Sequence, residues 1–349
     1  MLVKLCQKEL ESGHQVFVVS LAGPGAHEEH LKRIGVSVFA RRLSLLNLFV
    51  NLKALKLFVK DANPDILQGW MYHGNLVSLI VSSLNWVRSP VIWNIRHSVS
   101  DVRFEKLALR VLIWLGSKLS RYPNGIIYNS QTAMEQHHAL GYSSRQSKMI
   151  GNGFDVQKFK PDLALRYKLR QELDIPDSAV VIGSIARMHP MKGHSVLVKA
   201  HSLACEKHDD LYLVVYGAGV TSETVGCSGI VNSRVHFMGS TQEPELVYPA
   251  FDVFISASLW GEGFPNVIGE AMSCGVPCIV TDVGDSAFIV GSLGVVLAPG
   301  DLEGLTAAIE KVTISDPVLS EACRDRIARD YSIDAIAELY STYYLETLG

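Results

Sequence analysis

No apolar run in the sequence reaches the roughly 18–20 residues that a bilayer-crossing helix needs, which argues against an integral membrane protein. Cysteine is sparse: six in 349 residues, at positions 6, 205, 227, 274, 278 and 323, too scattered for a disulfide lattice. The one close pair, Cys274 and Cys278, has no second pair to complete a metal site and flanks a Gly-Val-Pro turn. We read these thiols as small buried residues in a reducing setting. The first residues, Met1–Gly13, carry Lys4, Lys8, Glu9 and Glu11 and no long apolar stretch, so they do not read as a signal peptide. The expectation is a cytoplasmic protein. What is present in quantity is apolar surface, 48% of residues, with 19% charged. That balance fits a globular chain and excludes a disordered one, and the length suggests two domains of ordinary size.

The net charge of −3 conceals a split. Residues 1–160 hold 20 Lys/Arg against 10 Asp/Glu, and residues 161–349 hold 12 against 25. Two domains with different partners are implied, the first facing an anionic surface. Its basic charge concentrates in Leu31–Lys60, with Lys32, Arg33, Arg41, Arg42, Lys53, Lys56 and Lys60, and in Arg103–Arg121 (RFEKLALRVLIWLGSKLSR). In the second stretch Trp114 and Leu115 lie beside Arg110 and Lys118. Basic amphipathic helices of this kind can rest on anionic lipid, here the inner face of a membrane, although a solvated charged face over an ordinary core reads the same way.

Short apolar strand runs alternate with helical stretches along the whole chain. Gln15–Leu21, Asp65–Gln68, Val91–Ile95 and Ile126–Asn129 read as strands, with Ser130 as the N-cap of a helix over Thr132–Leu140. A second series comprises Val180–Ala186, Leu211–Tyr216, Val235–Phe237, Val253–Ser256 and Pro277–Thr281, with a helix from His194. Strands separated by helices predict parallel sheets with right-handed crossovers. The polar Lys158–Asp162 stretch sets a boundary near 165. The expected architecture is α/β, with Rossmann-like domains over 1–165 and 166–331 and an amphipathic helix over 332–349 that crosses back to the first domain or caps its own. Sites in such sheets lie at the carboxyl ends of strands, so a crevice between the domains is the expected working surface.

The strongest chemical signal runs from Ser256 to Asp285, SASLWGEGFPNVIGEAMSCGVPCIVTDVGD. Glu262 precedes a helix that Pro265 can open and Gly275 can close, and Glu270 falls inside it. Two acids eight apart are common on surfaces; here Gly261 and Gly263 flank the first, and a strand–turn–helix frames both. The helix N-terminus suits phosphate or developing negative charge, and carboxylates accept hydrogen bonds from sugar hydroxyls.

The segment EGFPNVIGEAMSCGVPCIVTDVGD resembles the E-x7-E signature of the family 4 retaining glycosyltransferases, which have the GT-B fold. The resemblance extends over nearly the whole chain, through ESGHQVFVVSL, PDILQGWMYHGN, NSQTAMEQHHALGY, IGNGFDVQKFKPD and GSIARMHPMKGH. It implies that Glu262 contacts the donor sugar and Glu270 the nucleotide ribose, with Gly263, Phe264, Pro265 and Asn266 near the sugar and phosphate. Members usually begin with a strand and a Gly-Gly loop. This chain begins at what resembles the following helix, so the first strand of the N-terminal domain is expected to be missing.

Arg187 ends the strand VVIGSIA and Lys192 follows five residues on, a spacing from which a guanidinium fork and an ammonium can converge on one diphosphate. By resemblance they match an R-x4-K pair that holds the leaving diphosphate. No Asp-x-Asp occurs in the chain, which fits a metal-independent site, and the resemblance implies no resident cofactor, the nucleotide-sugar being substrate. Gly217-Ala218-Gly219 after LYLVVY either lets a nucleotide approach the backbone or is only a tight turn; by resemblance Gly217 borders the nucleotide. Related enzymes carry a His at the end of an N-domain strand in a P-[VI]-x4-H setting. Here Arg96 takes that place and His97 follows it, and His73 ends another strand, so His97 is favoured, with Arg96 and His73 as rivals.

The expected function is a retaining, metal-independent glycosyltransferase using a front-face mechanism. It would move a sugar from a nucleoside-diphosphate donor to a glycan or lipid-linked acceptor, with no nucleic-acid partner. The rivals are a non-catalytic nucleotide-sugar binder and a nucleotide-sugar epimerase on the same scaffold.

Overall fold

Four runs read from the sequence become strands with the same limits; Val91–Ile95 and Val253–Ser256 are buried throughout, Leu211–Tyr216 nearly so, and Val235–Phe237, at a sheet edge, is half-buried. The computed structural model describes residues 1–42, 48–313 and 316–349. Residues 43–47, part of the first basic stretch, lie outside the described set. The backbone packs as two units, Met1–Gly153 with Ile333–Gly349, and Phe154–Ser332. The change of unit at 153/154 falls ahead of the polar stretch at 158–162. Phe154 stacks on Phe264 at 6.2 Å and Phe159 lies 6.0 Å from Tyr248, so residues after 153 are anchored in the second unit's core.

In the first unit β1 (Phe17–Ser20) pairs in parallel with β2 (Ser37–Ala40), forming a sheet of their own. A separate parallel sheet runs in chain order through β3 (Leu67–Trp70), β4 (Val91–Ile95), β5 (Gly125–Tyr128) and β6 (Ser147–Met149). Among the described residues no strand pairing joins the two sheets. They meet through side chains: Leu55, Val59, Val81 and Val87 form a cluster that includes Val19, Phe39 and Leu67. The helix Ile333–Leu348 belongs to this unit and ties the larger sheet with tyrosines. Tyr340 Oη accepts from Asn94 Nδ2 at 2.8 Å, Tyr343 donates to the Gln146 carbonyl at 2.5 Å, and Tyr344 donates to Gln68 at 2.9 Å. Gly125 is required under this helix, because a Cβ there would lie 1.9 Å from the Tyr343 hydroxyl.

In the second unit a single six-stranded parallel sheet runs in the order β12–β11–β10–β7–β8–β9, with β7 Val180–Ile185, β8 Leu211–Tyr216, β9 Val235–Phe237, β10 Val253–Ser256, β11 Cys278–Thr281 and β12 Val295–Leu297. The order reverses between β7 and β10, the topological position where such sheets hold ligands at their carboxyl ends. The first unit follows the same progression on either side of this point, but no strand among the described residues joins β1 to β3 as β7 joins β8 to β10. The sequence expectation of a missing first strand therefore meets a sheet divided in two.

All six cysteines are buried and free, and burial raises every one of their thiol pKa values. No group of three or more His, Cys, Asp or Glu among the described residues is placed to hold a metal. No helix among the described residues is long and apolar enough to cross a membrane.

Candidate active site

The carboxyl ends of β7 and β10 lie side by side because these strands pair directly, Val253 opposite Ile182 and Phe254 opposite Gly183. What leaves them is held by backbone bonds. After β7, Met188 N–H donates to the Ala218 carbonyl at 2.9 Å, and His189 caps the 3₁₀ turn Pro190–Lys192. After β10, Leu259 N–H donates to the Met191 carbonyl at 2.7 Å, lacing the two loops together. Gly193 makes the approach possible: its φ is +66°, and a Cβ would sit 2.0 Å from the Ala257 carbonyl oxygen.

This lacing brings Lys192 to Glu262 across 70 residues of sequence, Nζ to Oε1 at 2.5 Å, with both side chains mostly shielded. Ser258 Oγ donates to the same oxygen at 2.6 Å, and the Ser258 carbonyl accepts from Thr281 Oγ1 at 2.5 Å. The carboxylate is therefore fixed by two donors and a second layer behind them. The loop after Glu262 is fixed from the other side. Asp285 N–H donates to the Gly263 carbonyl at 2.8 Å, and a Cβ on Gly284 would lie 2.7 Å from the Glu262 carbonyl oxygen.

Glu270 sits in the second turn of the helix Asn266–Ser273, where Oε2 accepts from the Tyr248 hydroxyl at 3.0 Å. Tyr248 is fully buried. Burial and then the neighbouring carboxylate push its phenol well up, so it stays a donor. Pro265 caps this helix and Gly275, with φ +74°, follows its end, as the sequence predicted. Phe264 is buried between Phe154 and Tyr331, while Gly263 is half-exposed and Asn266 exposed at the helix start. Arg187 is exposed beyond β7, and its guanidinium makes no hydrogen bond or ion pair among the described residues. Its carbonyl accepts from His194 at 3.2 Å. Gly217 permits the tight crossing of backbones at the ends of β7 and β8: a Cβ would lie 1.9 Å from the Ala186 carbonyl oxygen.

The first unit holds the three remaining candidates. His97 follows β4 and is the end of a relay. The Ala133 carbonyl can only accept, so His137 Nδ1 donates to it at 2.7 Å, and His137 Nε2 takes the Tyr72 hydroxyl proton at 2.8 Å. Tyr72 oxygen is then left to accept from His97 Nδ1 at 3.2 Å, and His97 Nε2 faces Glu105 at 3.4 Å. Burial lowers His137 to about 4, so it stays neutral in this relay at ordinary pH. Arg96 is committed inward: it donates to Tyr340 at 3.0 Å and to Asn152, and lies 5.2 Å over the Trp70 ring. Its bonds make it a tie between β4 and the last helix. His73 is exposed at the start of the helix Met71–Ser83, beside Met71, whose φ of 60° is unusual for a residue with a side chain.

Sequence reasoning missed Ser258, Tyr248, Tyr72 and Glu105. Only the neighbourhood of the acidic signature pointed to Ser258; the other three carry no local pattern, because their partners lie 22 to 65 residues away or, for Glu105, across a loop.

Comparison with known proteins identifies the family and the fold. The model for glycosyl transferases group 1 matches residues 179–314, and the model for Glycosyltransferase Family 4 matches residues 2–158, so the two together span most of the chain. The chain is 24% identical over 333 residues to UDP-Gal:alpha-D-GlcNAc-diphosphoundecaprenol alpha-1,3-galactosyltransferase of Escherichia coli, covering 90% of this chain and 84% of that protein. It is 25% identical over 219 residues to lipopolysaccharide core biosynthesis mannosyltransferase LpsB of Rhizobium meliloti, covering 58% and 62%. Among solved structures, Anabaena Alr3699/HepE in complex with UDP superposes with a TM-score of 0.80 at 20% identity, covering 99% of this chain and 96% of that one. Sucrose-phosphate synthase of Thermosynechococcus elongatus gives 0.76 at 20% identity, covering 98% and 91%. The fold is GT-B, and the chain belongs to family 4 of the glycosyltransferases.

Proposed function

We propose that this glycosyltransferase takes a sugar from a nucleoside-diphosphate donor held by the second unit and transfers it, with retention at the anomeric carbon, to a glycan or lipid-linked acceptor. The observation that carries the reading is the Lys192–Glu262 pair set at the strand-order reversal, with Arg187 open to solvent at the end of the adjoining strand. Relatives act on such molecules: one is named for a UDP-galactose donor and a diphosphoundecaprenol acceptor, and one structural neighbour was solved with UDP-glucose.

In this reading Glu262 orients the sugar and Glu270 the ribose, Gly217 lets the nucleotide approach the backbone, and Gly263 and Phe264 offer N–H groups just ahead of a helix start. The bond from the anomeric carbon to the diphosphate oxygen breaks as the acceptor oxygen bonds the same face, and the acceptor proton passes to the departing phosphate. Lys192 and Arg187 oppose the charge that accumulates on that phosphate, so they stabilise the transition state more than the ground state. An ammonium has three donors, so Lys192 can keep Glu262 while meeting phosphate. The step as written draws on these cations and on no divalent ion. His97, held by Tyr72 and Glu105, is the first unit's candidate catalytic group.

The test is turnover of UDP-, GDP- and ADP-sugars, with the anomeric configuration of the product or of leaked free sugar read by NMR, with and without chelator. Retained configuration unaffected by chelator supports the proposal. Inverted product, strict metal dependence, or interconversion of donors without transfer contradicts it.

A further inference from the structure

The helix Leu107–Leu119 and the turn before it carry an apolar row that the core does not use. Ile113 and Gly116 face inward, where a Cβ on Gly116 would lie 2.2 Å from the Tyr142 hydroxyl, and Leu109, Leu112 and Leu119 pack on the same cluster. The opposite side presents Phe104, Leu107, Val111 and Trp114, exposed by 87%, 73%, 47% and 59%. Leu107, Val111 and Trp114, spaced four and three residues apart, share one helix face over about 10 Å, and Phe104 stands in the 3₁₀ turn just ahead of the helix. Beside it lies an open groove of about 370 Å³ lined by Val102, Leu107, Arg110, Val111, Trp114 and Leu140.

The surrounding charge is of one sign. Arg103, Lys106, Arg110, Lys118 and Arg121 are exposed, and from 102 to 122 the only carboxylate is Glu105, half-buried and turned to His97. Asp101, just before this segment, is taken up by Arg103 at 2.7 Å. An apolar row rimmed by cations, with Trp114 and an exposed Tyr122, has the composition of a surface that enters the headgroup layer of an anionic bilayer. We propose that this face docks the protein on anionic phospholipid, Phe104, Leu107, Val111 and Trp114 entering the acyl boundary while Lys106, Arg110 and Lys118 meet headgroup phosphates. The proposal does not rest on the transfer reading, since vesicle binding is read without turnover.

The experiment is flotation of the full chain with vesicles of phosphatidylcholine mixed with phosphatidylglycerol, against phosphatidylcholine alone. The expected result is binding to the mixed vesicles only, weakened by salt. The triple variant Lys106→Glu/Arg110→Glu/Lys118→Glu should bind about tenfold or more weakly, and Leu107→Ser/Trp114→Ser should also release the protein, with melting midpoints unchanged for both. Equal binding to neutral vesicles, no binding to either, or undiminished binding by both variants would overturn it. So would a dimer that Trp114→Ser converts to monomer, since that would make the row a contact between copies.

Discussion

The two units solve the same folding problem with different materials. The second has one sheet in which β7 joins both halves, and its interior is stitched by a buried ionic hub. Asp252 takes Arg166 and Arg170 at 2.6 Å each and the Val181 N–H at 2.7 Å, with Asp252 and Arg170 almost wholly buried. The first has two sheets that, among the described residues, meet through packed side chains and share no strand pairing, and its larger sheet is closed by hydroxyls of the last helix. A continuous ladder ties neighbouring strand ends together by backbone hydrogen bonds, whereas packed side chains tolerate volume-conserving change. The group we assign to the departing phosphate accordingly stands on the continuous sheet. The exposed apolar face stands on the divided one.

The comparison can be broken first at the hub. Asp252→Ala leaves two guanidinium groups buried without their carboxylate, and we expect a loss of about 3–5 kcal/mol, read as a lower denaturant midpoint; a loss below about 1 kcal/mol would remove the hub's structural role. Acid should weaken both units. Burial lowers His137 in the first and His201 in the second to about 4 from the usual 6.5. Between these values the unfolded chain binds protons that the folded chain refuses, so stability is greatest above about 6.5 and falls as pH drops towards 4. The cost is on the order of 3 kcal/mol for each His. His137→Gln and His201→Gln should each flatten the pH dependence of the midpoint, and unchanged slopes would contradict this account. Tyr340→Phe deprives Asn94 Nδ2 and Arg96 of an acceptor and should cost about 1–3 kcal/mol, measured by the same unfolding curves. The smallest effect is kinetic: backbone amides of β1 and β2 should exchange with deuterium sooner than those of β7 and β8, and equal protection would mean that the divided sheet is no weaker.

How much of this could be read from the residues depended on burial. Val91–Ile95, Leu211–Tyr216 and Val253–Ser256 were legible to the residue, because apolar runs mark strands covered on both faces; Val235–Phe237 was read with the same limits although it is a half-buried edge strand. Ser37–Ala40, Ser147–Met149 and Val295–Leu297 were not. They are three or four residues long and lie at sheet edges, where one side needs no apolar cover. The helix over Asn266–Ser273 was legible from Pro265 and Gly275 and from the apolar residues between them. Lys192 and Glu262 could be named from their motifs, but not their contact, which depends on Gly193 admitting the Ala257 carbonyl. The relay from His137 to Glu105 was invisible, since single polar residues 25 to 65 positions apart leave no periodic trace.

The central claim is that Lys192 meets the diphosphate of the donor beside Glu262. Calorimetric titration with UDP, GDP and ADP will identify the nucleotide that binds tightest, and the same titration of Lys192→Met then tests the claim. Loss of a charge-assisted contact predicts affinity lower by about 10–100-fold in a variant that circular dichroism shows to be folded. Equal affinity in the folded variant would contradict the account.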